Sequence, residues 1–169
     1  MPRSTRPARK PRRVQRTLDA RRDTVDFRDL IYVPTLVEVP SERPLKAYRK
    51  AYGRRRPRDY ILDQGSEGAC TGFGLAAVAN YLLVTRRVVS DTRPVSPCML
   101  YAMARRYDEW PGENYSGSSA RGAMKGWHKH GVCGAPAWPY TKENLSGVLD
   151  DRRAQDAQLR PLGAYFRVN

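Results

Sequence analysis

The feature that most constrains the fold is one long apolar segment, CTGFGLAAVANYLLVTRR, which begins at Cys70 directly after a glycine-rich turn. Its apolar side chains recur at the spacing of an α-helix, and the clearest of them are Leu75, Val78, Ala79, Leu82 and Leu83. Because few polar residues interrupt the segment before Arg86, we expect the helix in the middle of a domain. Glycines are poor helix formers, so we expect Gly72 and Gly74 to allow close approach of another backbone or a ligand.

Two further helices and a strand are predicted after this central helix. Ser96-Pro97 is a typical helix start, since serine caps the first turn and proline at the first helical position loses no hydrogen bond. A third helix is predicted from Ser118-Ser119 to Gly131, where glycine is a natural left-handed terminator. The last residues, LGAYFRVN, alternate in the manner of an entering strand.

The N-terminal third differs in character from the rest of the chain. Residues 1–17 are rich in Arg and Pro and are predicted to be a basic flexible arm. Residues 18–57 are predicted to be an extended segment, because prolines punctuate the short apolar runs up to Pro40 and the part from residue 41 is basic and turn-rich. Residues 58–169 are predicted to form the folded domain.

Composition and charge narrow the classes of function. The formal net charge is +14, and the stretch from Met1 to Arg22 holds nine basic residues and one acid, Asp19. Such a run can bind nucleic acid through counterion release. No aromatic residue interrupts it as a stacking platform, so we interpret it as a solvated tail and expect no nucleic-acid binding.

The compartment is predicted from two further properties of the sequence. No stretch has the roughly 20 apolar residues of a membrane helix, and no secretory signal is evident, so we expect a cytoplasmic protein. The three cysteines are too few for a disulfide framework and fit a reducing compartment.

The turn before the central helix carries the candidate chemistry. Cys70 opens the helix, where the helix dipole and the free N–H groups favour the thiolate, the reactive form of cysteine. Gln64 lies six residues earlier across a glycine turn, so its side-chain N–H can meet the backbone N–H of Cys70. Two donors beside a nucleophile make an oxyanion hole. Cys70 and Gln64 are therefore the predicted catalytic residues.

The segment Gln64–Phe73 resembles the nucleophile region of papain-like cysteine peptidases, the family of papain and the cathepsins, in the bacterial form Gly-Ala-Cys-Thr-Gly-Phe. The likeness continues in order along residues 58–169, through Ser96-Pro97-Cys98-Met99-Leu100-Tyr101, Gly117-Ser118-Ser119 and Trp138-Pro139-Tyr140. It implies an α+β, papain-like fold in which this chain supplies the helical left lobe and ends on entry to the β-rich right lobe. It also implies hydrolysis of a peptide or protein substrate without a cofactor or metal.

The same resemblance assigns further residues. Gly117 and Ser118 would offer backbone hydrogen bonds to an extended substrate by strand addition, and Gly68, in the turn beside the nucleophile, completes the substrate-binding set. Because residues 18–57 precede the catalytic segment, we expect them to act as a propeptide or clamp. Two positions depart from the family pattern: Glu67 stands where many members have a disulfide cysteine, and Thr71 replaces the usual aromatic residue after the nucleophile.

The largest departure is the catalytic histidine. In the family this histidine and its orienting Asn lie roughly 130–150 residues after the cysteine, so we expect this chain alone to be inactive and a C-terminal half or larger polypeptide to supply both. His128 and His130 match no catalytic position and are predicted to be ordinary helix-end residues. With Cys133 they are too few for a structural zinc site, and Cys98 is predicted to be a buried small hydrophobe. The alternative function is a non-catalytic, papain-fold binding module with a basic arm.

Overall fold

A computed structural model describes residues 15–22, 24–35, 41–42, 45–53, 60–86, 93–108 and 116–168. Within these ranges the chain forms two short strands, five α-helices and a 3-10 helix at Glu143–Ser146. In chain order the strands and α-helices are β1 (Ala20–Arg21), α1 (Leu45–Ala51), α2 (Cys70–Arg86), α3 (Pro97–Arg106), β2 (Ser118–Ser119), α4 (Ala120–His130) and α5 (Asp151–Gln158). The predicted α+β class is confirmed, and the described residues include no β-rich lobe.

The starts of α3 and α4 are fixed by serine caps, as the sequence predicts. The Ser96 hydroxyl accepts a hydrogen bond from the Met99 backbone N–H at 3.0 Å. The Ser119 hydroxyl accepts one from the Gly122 N–H at 2.9 Å. Gly131 then ends α4 with a φ of 72°, a left-handed conformation that glycine adopts without steric cost.

Helix α3 lies between α2 and α4 and contacts both, so it forms the centre of the described domain. Two groups of buried side chains surround it. The first joins α2, α3 and α4 and consists of Ala76, Ala79, Val95, Leu100, Trp127 and Val132. The second joins α3 to the chain that follows α4 and consists of Cys98, Met99, Met103, Cys133, Trp138 and Ala157. Full burial of one large apolar side chain of this kind contributes about 1.5–3 kcal/mol.

The crossing of α2 over α3 is close enough to exclude a side chain. A Cβ atom added to Gly72 would lie 2.7 Å from the Tyr101 backbone nitrogen and 2.8 Å from the Pro97 carbonyl oxygen. The expected close backbone approach is therefore confirmed at Gly72. At Gly74 an added Cβ would meet nothing within 4 Å, so among the described residues no other backbone approaches it, and close approach of a ligand there stays a prediction.

The segment before the folded domain lies extended along it. Strand β1 pairs in parallel with β2, with Ala20 opposite Ser118. Farther along, the Tyr32 N–H donates to the Arg167 carbonyl at 2.8 Å, and the Arg167 N–H donates to the Leu30 carbonyl at 2.7 Å. In its described part up to residue 35 this segment forms β1, a turn at residues 27–28 and a bridge at Ile31. The predicted entering strand at the end of the chain is a single bridge at Arg167 to this same segment.

Two features of the structure differ from the sequence prediction, and one predicted segment lies mostly outside the described residues. The stretch predicted to be turn-rich contains a helix, α1. Its sequence LKAYRKA mixes apolar residues with two lysines and one arginine. Central helix α2 is not buried all round, because Val78 is 52% and Leu82 36% exposed, which leaves one face uncovered in the described structure. Residues 1–14, most of the predicted arm, lie outside the described residues. None of the described helices has both the length and the apolar character needed to cross a bilayer.

The Gly72 contact predicts opposite effects for two substitutions on the same helix. Gly72→Ala should destabilise the fold by about 1–3 kcal/mol, because the added methyl must push the α3 backbone away. Gly74→Ala is the matched control and should stabilise the fold by roughly 0.5–1 kcal/mol, since alanine is the better helix former at an open position. The measurement is the midpoint of urea unfolding at unchanged slope. Equal midpoints for both variants would contradict the close crossing.

Candidate active site

Cys70 is the first residue of α2 and lies partly exposed at the end of the helix. The chain reaches it through a turn in which Gly65 has a φ of 64°, a conformation that other residues rarely adopt. The other two cysteines are fully buried, and burial raises the pKa of Cys98 and of Cys133 to about 11. Of the three thiols, only Cys70 is open to a reagent or substrate. The prediction that Cys98 is a buried small hydrophobe is confirmed.

Gln64 lies in the turn before Cys70, and both N–H hydrogens of its side-chain amide donate to backbone carbonyls. Its Nε2 donates to the Glu67 carbonyl at 2.8 Å and to the Thr17 carbonyl of the N-terminal segment at 2.9 Å. Its own backbone carbonyl accepts a hydrogen bond from the Tyr140 hydroxyl at 2.8 Å. Because the amide already holds a peptide carbonyl of the extended segment, it can hold the carbonyl of another peptide. Its convergence with the Cys70 N–H stays a prediction.

The three predicted substrate-binding residues line the place where the N-terminal segment lies. Gly117 and Ser118 are buried, and Ser118 belongs to the strand that pairs with β1. A Cβ on Gly68 would lie 2.8 Å from the Ser116 hydroxyl and 3.1 Å from a carboxylate oxygen of Asp19. The Ser116 hydroxyl in turn donates to Asp19 at 3.0 Å. We call the place between the turn at residues 64–68 and strand β2 the cleft. The cleft can hold an extended chain by strand addition, and a segment of the protein itself lies there.

Two groups of contacts across the cleft floor were not identified from the sequence. The hydroxyls of Thr71 and Ser118 lie 2.5 Å apart, which joins the residue after the nucleophile to β2. The Tyr101 hydroxyl contacts both a Glu67 carboxylate oxygen and the Ser116 carbonyl. Departures from the family pattern at Glu67 and Thr71 were the available signal, since both positions carry polar groups that need partners when partly buried.

Neither histidine lies in this cleft's hydrogen-bond network. His130 Nε2 lies 2.6 Å from the Tyr107 hydroxyl, and His128 Nδ1 lies 3.1 Å from the Gly163 carbonyl. Burial lowers the pKa of His130, and the nearby charges of Arg106 and Lys129 lower it further. The charged form of His130 is therefore disfavoured, although the residue lies at a helix end. Among the described residues, no group of three or more histidine, cysteine and carboxylate side chains is placed to hold a metal ion.

The described residues therefore bring together a partly exposed thiol, an amide that donates to two backbone carbonyls, and a strand paired with an extended segment. A cysteine in this setting can attack an acyl carbon once a base takes its proton. The helices that carry these residues have the fold of the helical, cysteine-bearing part of a papain-like cysteine protease.

A solved structure has the same fold. The structure of xylellain, a cysteine protease from Xylella fastidiosa, superimposes with a TM-score of 0.67 and 24% sequence identity over 94% of this chain. The chain spans 61% of the length of the xylellain chain. No protein-family model matches the sequence, and no curated protein matches it either. The papain-like fold predicted from the sequence is confirmed by this likeness.

The burial of the thiols predicts the order of their alkylation. At pH 8 iodoacetamide should modify Cys70 in the folded chain and leave Cys98 and Cys133 intact, because a thiol with a pKa of about 11 has roughly one part in a thousand as thiolate at that pH. All three should react in about 8 M urea, which generally unfolds small domains. Peptide mass spectrometry reads out the modified residues. Early modification of Cys98 or Cys133 would contradict the burial of these thiols.

Proposed function

We propose that this chain is the nucleophile-bearing part of a cysteine peptidase that cleaves peptide bonds in an extended peptide or protein substrate. The observation that carries the proposal is the position of Cys70, partly exposed at the start of α2. It lies next in sequence to a residue joined to β2, a strand that accepts another extended segment. The fold likeness to a cysteine protease supports the same class.

In the proposed reaction the Cys70 sulfur forms a bond to the scissile carbonyl carbon, and the carbonyl electron pair moves onto its oxygen. The Gln64 side-chain N–H and the Cys70 backbone N–H would hold that oxyanion. A histidine takes the thiol proton as the sulfur attacks, and it gives that proton to the leaving amine as the C–N bond breaks. Water finally hydrolyses the acyl-enzyme. The histidine and its orienting Asn would come from a C-terminal half or a longer polypeptide.

Labelling with a peptidyl epoxide inhibitor of thiol proteases tests this function. The epoxide should modify Cys70 in a product that extends beyond Asn169 and includes a histidine, and should leave this chain alone essentially unlabelled. Cys70→Ala in the longer product is the control and should remove the label, while Cys98→Ala should keep it. An unlabelled longer product that still folds would favour the non-catalytic binding module.

We also propose that the N-terminal segment acts as a clamp on the cleft. The Thr17 carbonyl accepts a hydrogen bond from the Gln64 side-chain amide at 2.9 Å. Strand β1 covers the edge of β2. Farther along, Asp29 forms an ion pair with Arg121, which is 7% exposed, and lies 3.2 Å from Arg167. The segment thus uses the groups that would hold a substrate, so segment and substrate compete for the same cleft.

Breaking β1 should open the cleft. Replacement of Ala20 and Arg21 together by proline leaves neither residue of β1 with a backbone N–H to donate. We expect Cys70 alkylation by a peptide-linked iodoacetamide to become about five- to tenfold faster, the effect of losing a backbone hydrogen bond or two that compete with the reagent. Gln15→Pro, which precedes the paired residues, should leave the rate unchanged. If the double variant matches the unaltered chain, the segment does not compete for the cleft.

A further inference from the structure

Two loops form the floor of the cleft, and no disulfide joins them. The first, residues 63–69, leads into Cys70, and the second, residues 116–119, contains β2. All three cysteines of the chain are free, and Glu67 occupies the first loop three residues before Cys70. Whatever holds these loops in register must therefore be non-covalent.

Tyr101 is placed to join the two loops from below. It lies in the middle of α3, is 1% exposed, and packs in one apolar group with Ala69 and Phe73. Its hydroxyl donates to a Glu67 carboxylate oxygen at 2.9 Å and also contacts the Ser116 carbonyl. One side chain of the rigid helix thus contacts the first loop and the second loop at the same time.

The loops approach so closely that the link has little slack. A Cβ on Gly68 would lie 3.2 Å from the Ser116 carbonyl carbon, so the two backbones are almost in contact beside the link. Burial and the neighbouring Glu67 carboxylate raise the pKa of Tyr101, so its hydroxyl keeps its proton at neutral pH. That one proton is shared between two acceptors, which makes the hydroxyl the common point of both contacts.

We propose that Tyr101 is a positioning residue whose hydroxyl, through Glu67 and the Ser116 carbonyl, holds the loop before Cys70 in register with the substrate-binding loop. It does not touch substrate. It fixes the distance between the carbonyl-binding side of the cleft, at Gln64, and the strand-binding side, at Ser118. This inference rests on the proposed function for its catalytic meaning, while the link between the loops is a property of the chain itself.

Three variants of the full chain test the link. Tyr101→Phe keeps the ring and its packing but removes the hydroxyl. Glu67→Gln keeps an acceptor-sized side chain and adds an amide donor, so Tyr101 can donate to Ser116 while its oxygen accepts from Gln at position 67. Tyr107→Phe is the matched control, since it removes a hydroxyl from the C-terminal end of the same helix, where the partner is His130 at 2.6 Å.

Amide hydrogen exchange and Cys70 alkylation are then compared. Tyr101→Phe should speed exchange in residues 64–70 and 116–119 by about five- to tenfold, the effect of one buried hydrogen bond. It should also slow a peptide-linked iodoacetamide by a similar factor relative to iodoacetamide itself, because recognition of the peptide needs both loops in register. Tyr107→Phe should behave as the unaltered chain in both measurements, and Glu67→Gln, which keeps a hydrogen-bonding group at the link, should have a smaller effect than Tyr101→Phe.

Each outcome bears on the positioning role or on the proposed function separately. Unchanged exchange in Tyr101→Phe, an equally faster exchange in Tyr107→Phe, or a change in Glu67→Gln without one in Tyr101→Phe would overturn the positioning role. If exchange changes as expected but the peptidyl epoxide does not label Cys70 in the longer product, the link stands and the peptidase function fails. A general loosening of the fold would raise exchange in α5 as well, and that result also overturns the proposal.

Discussion

The crossing of α2 over α3 at Gly72 is the constraint on which the site depends. Because no side chain separates the two backbones there, the first turn of α2 rests directly on the α3 turn that carries Tyr101. That contact fixes where Cys70 projects, and it places the Tyr101 hydroxyl beneath the loop that leads to Cys70. The position of Cys70 is therefore set by a packing distance between two helices, not by the loop alone.

The sequence predicted well what depends on local backbone chemistry. The serine cap of α3 at Ser96, the cap of α4 at Ser119 and the terminating Gly131 follow from which groups a helix end leaves unpaired. The long period of apolar residues likewise predicted α2 with its start at Cys70. These signals involve residues within four positions of each other, so a single sequence contains them.

What the sequence did not reveal depends on contacts between residues far apart in the chain. Tyr101 reads as one more apolar member of α3, and only its distance to Glu67 and Ser116 shows the link. The exposed face at Val78 and Leu82 was also missed, because periodicity tells which side chains are apolar and not which of them another element covers. Gly72 and Gly74 could not be told apart for the same reason, since an open glycine and a close-packed one look alike in sequence.

The N-terminal segment is held at two separate places, and the physics of the two differs. At the cleft it is held by backbone hydrogen bonds and the Thr17 carbonyl, contacts that a competing peptide can replace one for one. At Asp29 it is held by an ion pair to the buried Arg121 guanidinium, which keeps the pKa of Asp29 low. Loss of one partner from such a pair leaves a charge with poor solvation, so this contact resists opening. In the proposed clamp the segment would leave the cleft around Thr17 while Asp29 keeps it attached, and exchange between segment and substrate would be a local event.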